Sequence, residues 1–136
     1  MQRDSMLPPT PLFTKTFDFI QWLMGAVNHF PKSQRFFAAK RLLDAALNFQ
    51  EYLVEANSLR ARPRSEWLTR ADSELVKVRL YLRLAFRLKW LSERQYHHAS
   101  SQVTEIGKLL GAWLRATPAR KAGGDKSSVP PVGGAP

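Results

Sequence analysis

The chain has 136 residues, room for one domain around a single core of ordinary size. Its 21 Lys and Arg against 11 Asp and Glu give a formal net charge of +10, which points to a polyanionic partner, nucleic acid ahead of anionic lipid. Cysteine is absent, which excludes disulfides, a thiolate nucleophile and a cysteine-type zinc site.

The opening MQRDSMLPPT is polar and broken by proline, without the pattern of a secretory signal, and residues 1–10 are expected to be disordered. A first helix is expected from Pro11 to His29, capped by Thr10, with Pro11 at the position where a missing N–H costs nothing. Phe13, Phe17, Ile20, Met24 and Val27 recur at 4-3-4-3 spacing and read as its core seam. Leu12, Phe19, Leu23 and Ala26 form a second apolar stripe beside it. The uncharged run between Asp18 and Lys32 is shorter than the ~20 apolar residues that span a bilayer.

Pro31 ends this segment, and a second helix is expected from Ser33 to about Ala56. Its seam reads Phe36, Ala39, Leu43, Ala46 or Leu47, and Leu53 or Val54. The break NSLRARPRS follows. Ser65 then caps a third helix from Glu66 to about Leu91, with the cleanest seam of the four: Leu68, Ala71, Leu75, Val78, Leu82 and Ala85. Ser92 with Gln95 three residues on is a capping box for a fourth helix, which buries Tyr96, Ala99, Val103, Ile106, Leu110 and Trp113. From Thr117 the composition turns to Pro, Gly, Ala, Ser and Lys, and 117–136 is expected to be a disordered tail. The expectation is therefore an all-α, antiparallel up-down-up-down four-helix bundle over residues 11–116.

The chemistry concentrates in the third helix. Residues 75–91 contain no acid but carry Lys77, Arg79, Arg83, Arg87 and Lys89. Arg79, Arg83 and Arg87 are spaced i, i+4, i+8 and so share one ridge, which suits a phosphate backbone. A solvated charged face is the plainer reading, but like charges so spaced cost stability without acidic partners. Arg60, Arg62, Arg64 and Arg70 cluster near the start of that helix as a second phosphate-contacting patch or a soluble loop, and Lys108 extends the basic surface or is an ordinary exposed lysine. Tyr81 and Trp90 read as core or interface aromatics sooner than as base-stacking platforms.

Val76, Leu80, Leu84, Leu88 and Leu91 lie on a different side from the seam and suggest self-association. Gly107 and Gly111, four apart in the fourth helix, suggest close approach of a neighbouring helix or subunit. His97 and His98 are adjacent and project in different directions, which is wrong for joint metal ligation. The carboxylates are scattered, with no base or metal pair beside them. The reading is a binding module with no catalytic residues, metal or cofactor.

FPKSQRF before the second helix, VRLYLR in the third, and LSERQYHHAS followed by EIGKLLGAWL in the fourth resemble the Avd-like four-helix-bundle family. These are accessory variability determinants of diversity-generating retroelements, related to bundle proteins encoded within bacterial 23S rRNA genes. The resemblance spans residues 10–116. It implies a cytoplasmic bacterial protein, a ring-shaped homopentamer, that binds a reverse transcriptase and its template RNA, with DNA as an alternative. It maps the family's basic helix-3 positions onto Arg79 and Arg83, and supports mutagenic cDNA synthesis and retrohoming rather than polymerising or cutting. An rRNA-associated bundle and an adaptor for an acidic protein partner are the alternatives, and a membrane-surface role ranks below both.

Overall fold

The computed structural model describes residues 10–118. Of the segments expected to be disordered, 1–10 and 117–136, residues 1–9 and 119–136 lie outside the described residues, whereas Thr10 begins the first helix and Thr117 is buried, its Oγ1 donating to the Trp113 carbonyl at 2.8 Å. Four helices follow one another: α1 over Thr10–Ala26, ending in a 3-10 turn Val27–His29; α2, which opens with Lys32–Gln34, passes through a π-helical turn Arg35–Ala39 and continues as Lys40–Asn57; α3 over Ala61–Arg87; and α4 over Glu93–Ala116. Among the described residues there is no strand.

The chain is a four-helix bundle whose successive helices run antiparallel. Phe13 meets Trp113 at 5.9 Å and Trp22 meets His98 at 5.0 Å, which sets α1 against α4. Tyr52 meets Trp67, and Arg41 meets Tyr81, which sets α2 against α3. Helices α3 and α4 pack in the same sense, with Phe86 and Tyr96 stacked at 4.4 Å beside the turn between them. One end of the bundle therefore holds the start of α1, the α2–α3 turn and the end of α4. The other holds the α1–α2 and α3–α4 turns.

The turns follow from local chemistry. Phe30 precedes Pro31 and is held extended (φ −69°, ψ 148°), so the helix cannot continue through it. Ser92 accepts from the Gln95 N–H at 3.0 Å while the Gln95 side chain accepts from the Ser92 N–H at 2.9 Å, the expected capping box. Helix α3 ends in a Schellman motif: the Trp90 N–H donates to the Ala85 carbonyl (2.8 Å) and the Lys89 N–H to the Phe86 carbonyl (2.9 Å). That motif puts Lys89 at φ 65°, the left-handed conformation glycine favours.

The seams of α3 and α4 are as expected: Leu68, Ala71, Leu75, Val78, Leu82 and Ala85 are buried, and so are Ala99, Val103, Ile106, Leu110 and Trp113, with Tyr96 half-buried. Full burial of each such large side chain contributes about 1.5–3 kcal/mol. In α1 the two stripes exchange roles. Leu12, Phe19, Leu23 and Ala26 are buried, together with Ile20 and Val27, whereas Phe17 and Met24 face water. Both stripes satisfy helical spacing and share a boundary, so periodicity alone does not choose between them.

In α2 the π turn adds a residue to the helical count, and the buried face becomes Ala39, Leu42, Ala46, Phe49, Leu53 and Ala56. Phe36, expected in the seam, is 82% exposed, and Val54 is also exposed. Leu91, expected on the outer stripe of the third helix, is buried because the chain turns inward after Lys89.

Helix α3 starts at Ala61, five residues before the expected Glu66. Ser65 is inside the helix, its carbonyl accepting from Thr69 Oγ1 at 2.9 Å, and Arg60 holds the extended N-cap position. Pro63 fits because it falls in the first turn, where a missing N–H breaks no bond. The end of the bundle explains the early start. Arg64 is buried and donates from Nε to the Ala56 carbonyl (3.0 Å) and from Nη2 to the Asn57 carbonyl (3.4 Å), which ties the first turn of α3 to the last carbonyls of α2.

Candidate nucleic-acid interface

The outer side of α3 carries two neighbouring ridges. Arg79, Arg83 and Arg87 are exposed along one, and Val76, Leu80, Leu84 and Leu88, about half exposed, along the other. No ion pair involves any of the three arginines among the described residues. The ridge therefore presents cations that carboxylates do not neutralise, held on a helix whose opposite face is anchored in the core.

Arg79 reaches across to α4. Its guanidinium lies against the backbone of α4 at Gly107: a Cβ there would come within 2.6 Å of Arg79 Nη2. The neighbouring helix that approaches Gly107 is α3 of the same chain, through Arg79 and the Leu75 side chain, 3.6 Å from such a Cβ. A Cβ at Gly111 would meet Nη1 of Arg115 at 3.3 Å, a side chain of its own helix. Arg79 and Arg83 both line a groove between α3 and α4 of about 340 Å³, whose far wall includes Tyr96, Ser100 and Thr104.

Other basic residues divide into three groups. Lys77, read from sequence as part of the acid-free run, is paired at 3.0 Å with Glu74, the residue immediately before that run. Glu74 is buried and also accepts from Asn48 at 3.4 Å, so Lys77 completes a structural cluster between α2 and α3. Arg64 is likewise removed from the phosphate-contacting set: besides its bonds to α2, its guanidinium lies 5.4 Å from the Trp113 ring.

Arg60, Arg62 and Arg70 stay exposed, with Arg70 lying over Trp67 at 4.6 Å. They belong to the other end of α3: Arg62 and Arg87 are 25 residues apart, about 38 Å along a helix at 1.5 Å per residue. Lys89 and Lys108 are exposed, the first in the strained C-terminal turn. The structure thus brings Arg79 and Arg83 together in one groove with Arg87 further along, and leaves the Arg60–Arg70 cluster apart.

Tyr81 receives a hydrogen bond from Arg41 Nη2 (3.1 Å), and that guanidinium lies 5.8 Å from its ring. Trp90 packs on Phe30 at 5.3 Å. Both aromatics therefore have packing partners within the chain. Arg41 and the exposed pair Phe36 and Phe37 were missed from sequence. The signal was present in RFFAAKR, since two adjacent phenylalanines at the start of a helix cannot both face one core. Among the described residues, no three His, Asp or Glu side chains gather as a metal site, and no helix is long and apolar enough to cross a membrane.

The fold and this face define a class: a helical bundle with an unpaired arginine ridge beside an exposed apolar ridge. Residues 12–117 match the bAvd-like family, and the chain belongs to that family. No curated protein matches it. Among solved structures it is similar to the crystal structure of a protein of unknown function from the S23 ribosomal protein family of Bacteroides thetaiotaomicron. The two are 21% identical with a TM-score of 0.71, over 78% of this chain and 96% of that one, a likeness of fold.

Proposed function

We propose that this chain is a non-catalytic, nucleic-acid-binding accessory protein of a diversity-generating retroelement. It binds the element's template RNA through the arginine ridge of α3 and holds it near a reverse transcriptase partner, supporting mutagenic cDNA synthesis and retrohoming. Membership of the bAvd-like family supports the setting. The observation that carries the binding role is the exposed, carboxylate-free row of Arg79, Arg83 and Arg87.

Contacts of this kind go to phosphates, position the RNA and read no sequence. Self-association through the Val76 and Leu80 stretch of the apolar ridge, in a closed ring of five, would repeat the arginine ridge around an axis and raise avidity without new contacts.

Fluorescence anisotropy of a structured RNA across a salt series tests this. The variant is Arg83→Glu with Arg87→Glu, chosen because neither side chain packs on Gly107. Loss of two phosphate contacts should lower the slope of log affinity against log salt by about 1.8 for duplex-like RNA. An unchanged slope, with unchanged affinity, refutes binding through α3.

A further inference from the structure

At the end of the bundle that holds the α1–α2 and α3–α4 turns, the π turn of α2 and the last turns of α3 form a pocket of about 320 Å³ that RNA binding does not use. That volume is at the low end of the ~300–1,000 Å³ typical of ligand pockets, enough for a few side chains. Its walls include Phe30, Phe37, Leu84, Leu88 and Trp90. The floor is held in place: Trp90 packs on Phe30 at 5.3 Å, and Tyr81 is fixed by Arg41 at 3.1 Å. The lip is wet, with Phe37 58%, Leu84 47% and Leu88 49% exposed. Large apolar side chains left in water beside a preformed hollow mark a docking surface.

Charge narrows the occupant. No carboxylate lines the pocket. Arg41 stands in one wall, and in the chain Lys89 falls between two other lining residues, Leu88 and Trp90. Among the described residues, neither cation is in an ion pair. A second copy of this chain, itself at +10, would bring mainly like charge to that rim. The rings are largely taken up by packing, Trp90 on Phe30 and Tyr81 with Arg41, which leaves a nucleobase little to stack on.

We propose that this pocket docks an acidic amphipathic helix of a protein partner. Bulky apolar side chains at i and i+3 or i+4 enter against Phe37, Leu84, Leu88 and Trp90, and flanking carboxylates meet Arg41 and Lys89. The inference is independent of the RNA reading, since it uses neither Arg79 nor Arg83.

The test is selection from a phage-displayed random peptide library on the full chain at about 0.15 M salt. The enriched peptides should carry Leu, Phe or Trp at helical spacing among Asp and Glu. The most enriched peptide, labelled with fluorescein, should bind Phe37→Ser/Leu84→Ser at least roughly tenfold more weakly, and Arg41→Gln roughly threefold more weakly, in line with loss of anchor and rim contacts. RNA affinity of the same variants should stay within about twofold, because the arginine ridge is intact. Both substituted side chains are already half in water, so the variants should fold; circular dichroism checks this, and Leu88→Ser is a second version.

Three outcomes overturn the proposal. One is enrichment without an apolar–acidic pattern. Another is enriched peptides that bind the variants as well as wild type. The third is a pocket variant that loses oligomer size while no peptide binds wild type, which assigns the pocket to a second copy. Failure of the RNA reading would show separately, in an unchanged salt slope for Arg83→Glu/Arg87→Glu.

Discussion

Replacing Arg64 with alanine should destabilise the bundle and leave its RNA affinity alone. The 3.0 Å bond from Nε to the Ala56 carbonyl is a charged hydrogen bond, worth about 1.5–3 kcal/mol. The longer bond to Asn57, at 3.4 Å, adds less. The guanidinium 5.4 Å from Trp113, out of water, contributes about 1–2 kcal/mol more. The Ala56 carbonyl keeps the Leu59 N–H (3.1 Å) after truncation. Some of the loss is offset by no longer burying a charge, and the net loss should be about 2–4 kcal/mol.

For a chain of this size that corresponds to a fall in Tm of about 8–16 °C. Arg64→Lys keeps the charge but loses the fork and the stacking, and should cost about 1–2 kcal/mol. Thermal and urea unfolding followed by circular dichroism measure both. RNA anisotropy is then read well below the midpoint, where the variant is folded. A Tm within about 3 °C of wild type, which is under 1 kcal/mol, together with weakened RNA binding would refute the reasoning and return Arg64 to the phosphate-contacting surface.

Three further outcomes are expected. Lys89→Gly should raise stability by up to about 1 kcal/mol, because Lys89 sits at φ 65°; a loss of stability in urea titration would mean its side chain contributes more than its backbone costs. Ser92→Ala should cost about 1 kcal/mol through loss of the capping box, without changing RNA affinity. Gly107→Ala should recover part of the ~0.5–1 kcal/mol that glycine costs in a helix, because the group in the way is the mobile end of Arg79. The arginine side-chain resonances should shift as that guanidinium moves, and a net destabilisation would show that its seat on α4 is rigid.

The legible part of this fold was periodic and locally capped. The α3 seam from Leu68 to Ala85, the α4 seam to Trp113 and the Ser92–Gln95 box all stand where spacing placed them. Each rests on interactions within one helix or on a single unambiguous stripe. The arginine ridge was legible for the same reason, as i, i+4 spacing puts Arg79, Arg83 and Arg87 on one face whatever surrounds them.

The illegible part was where two local solutions compete. Helix α1 has two stripes with equally good spacing, and the one that meets α2 and α4 is buried. In α2, one added residue at Arg35–Ala39 turned Phe36 outward. Arg64, in a run that reads as solvated, is drawn inside by carbonyls at the end of another helix.

By itself, then, the sequence determined four helices, their order, the strongly positive charge and the arginine ridge, because these follow from composition and from contacts a few residues apart. Only the tertiary structure decided which stripe of α1 is core, that Arg64 is structural and Glu74 buried, that Gly107 seats Arg79, and that α2 and α3 form an apolar pocket beside Arg41. Those depend on which surfaces meet between helices, and neither propensity nor period encodes that choice.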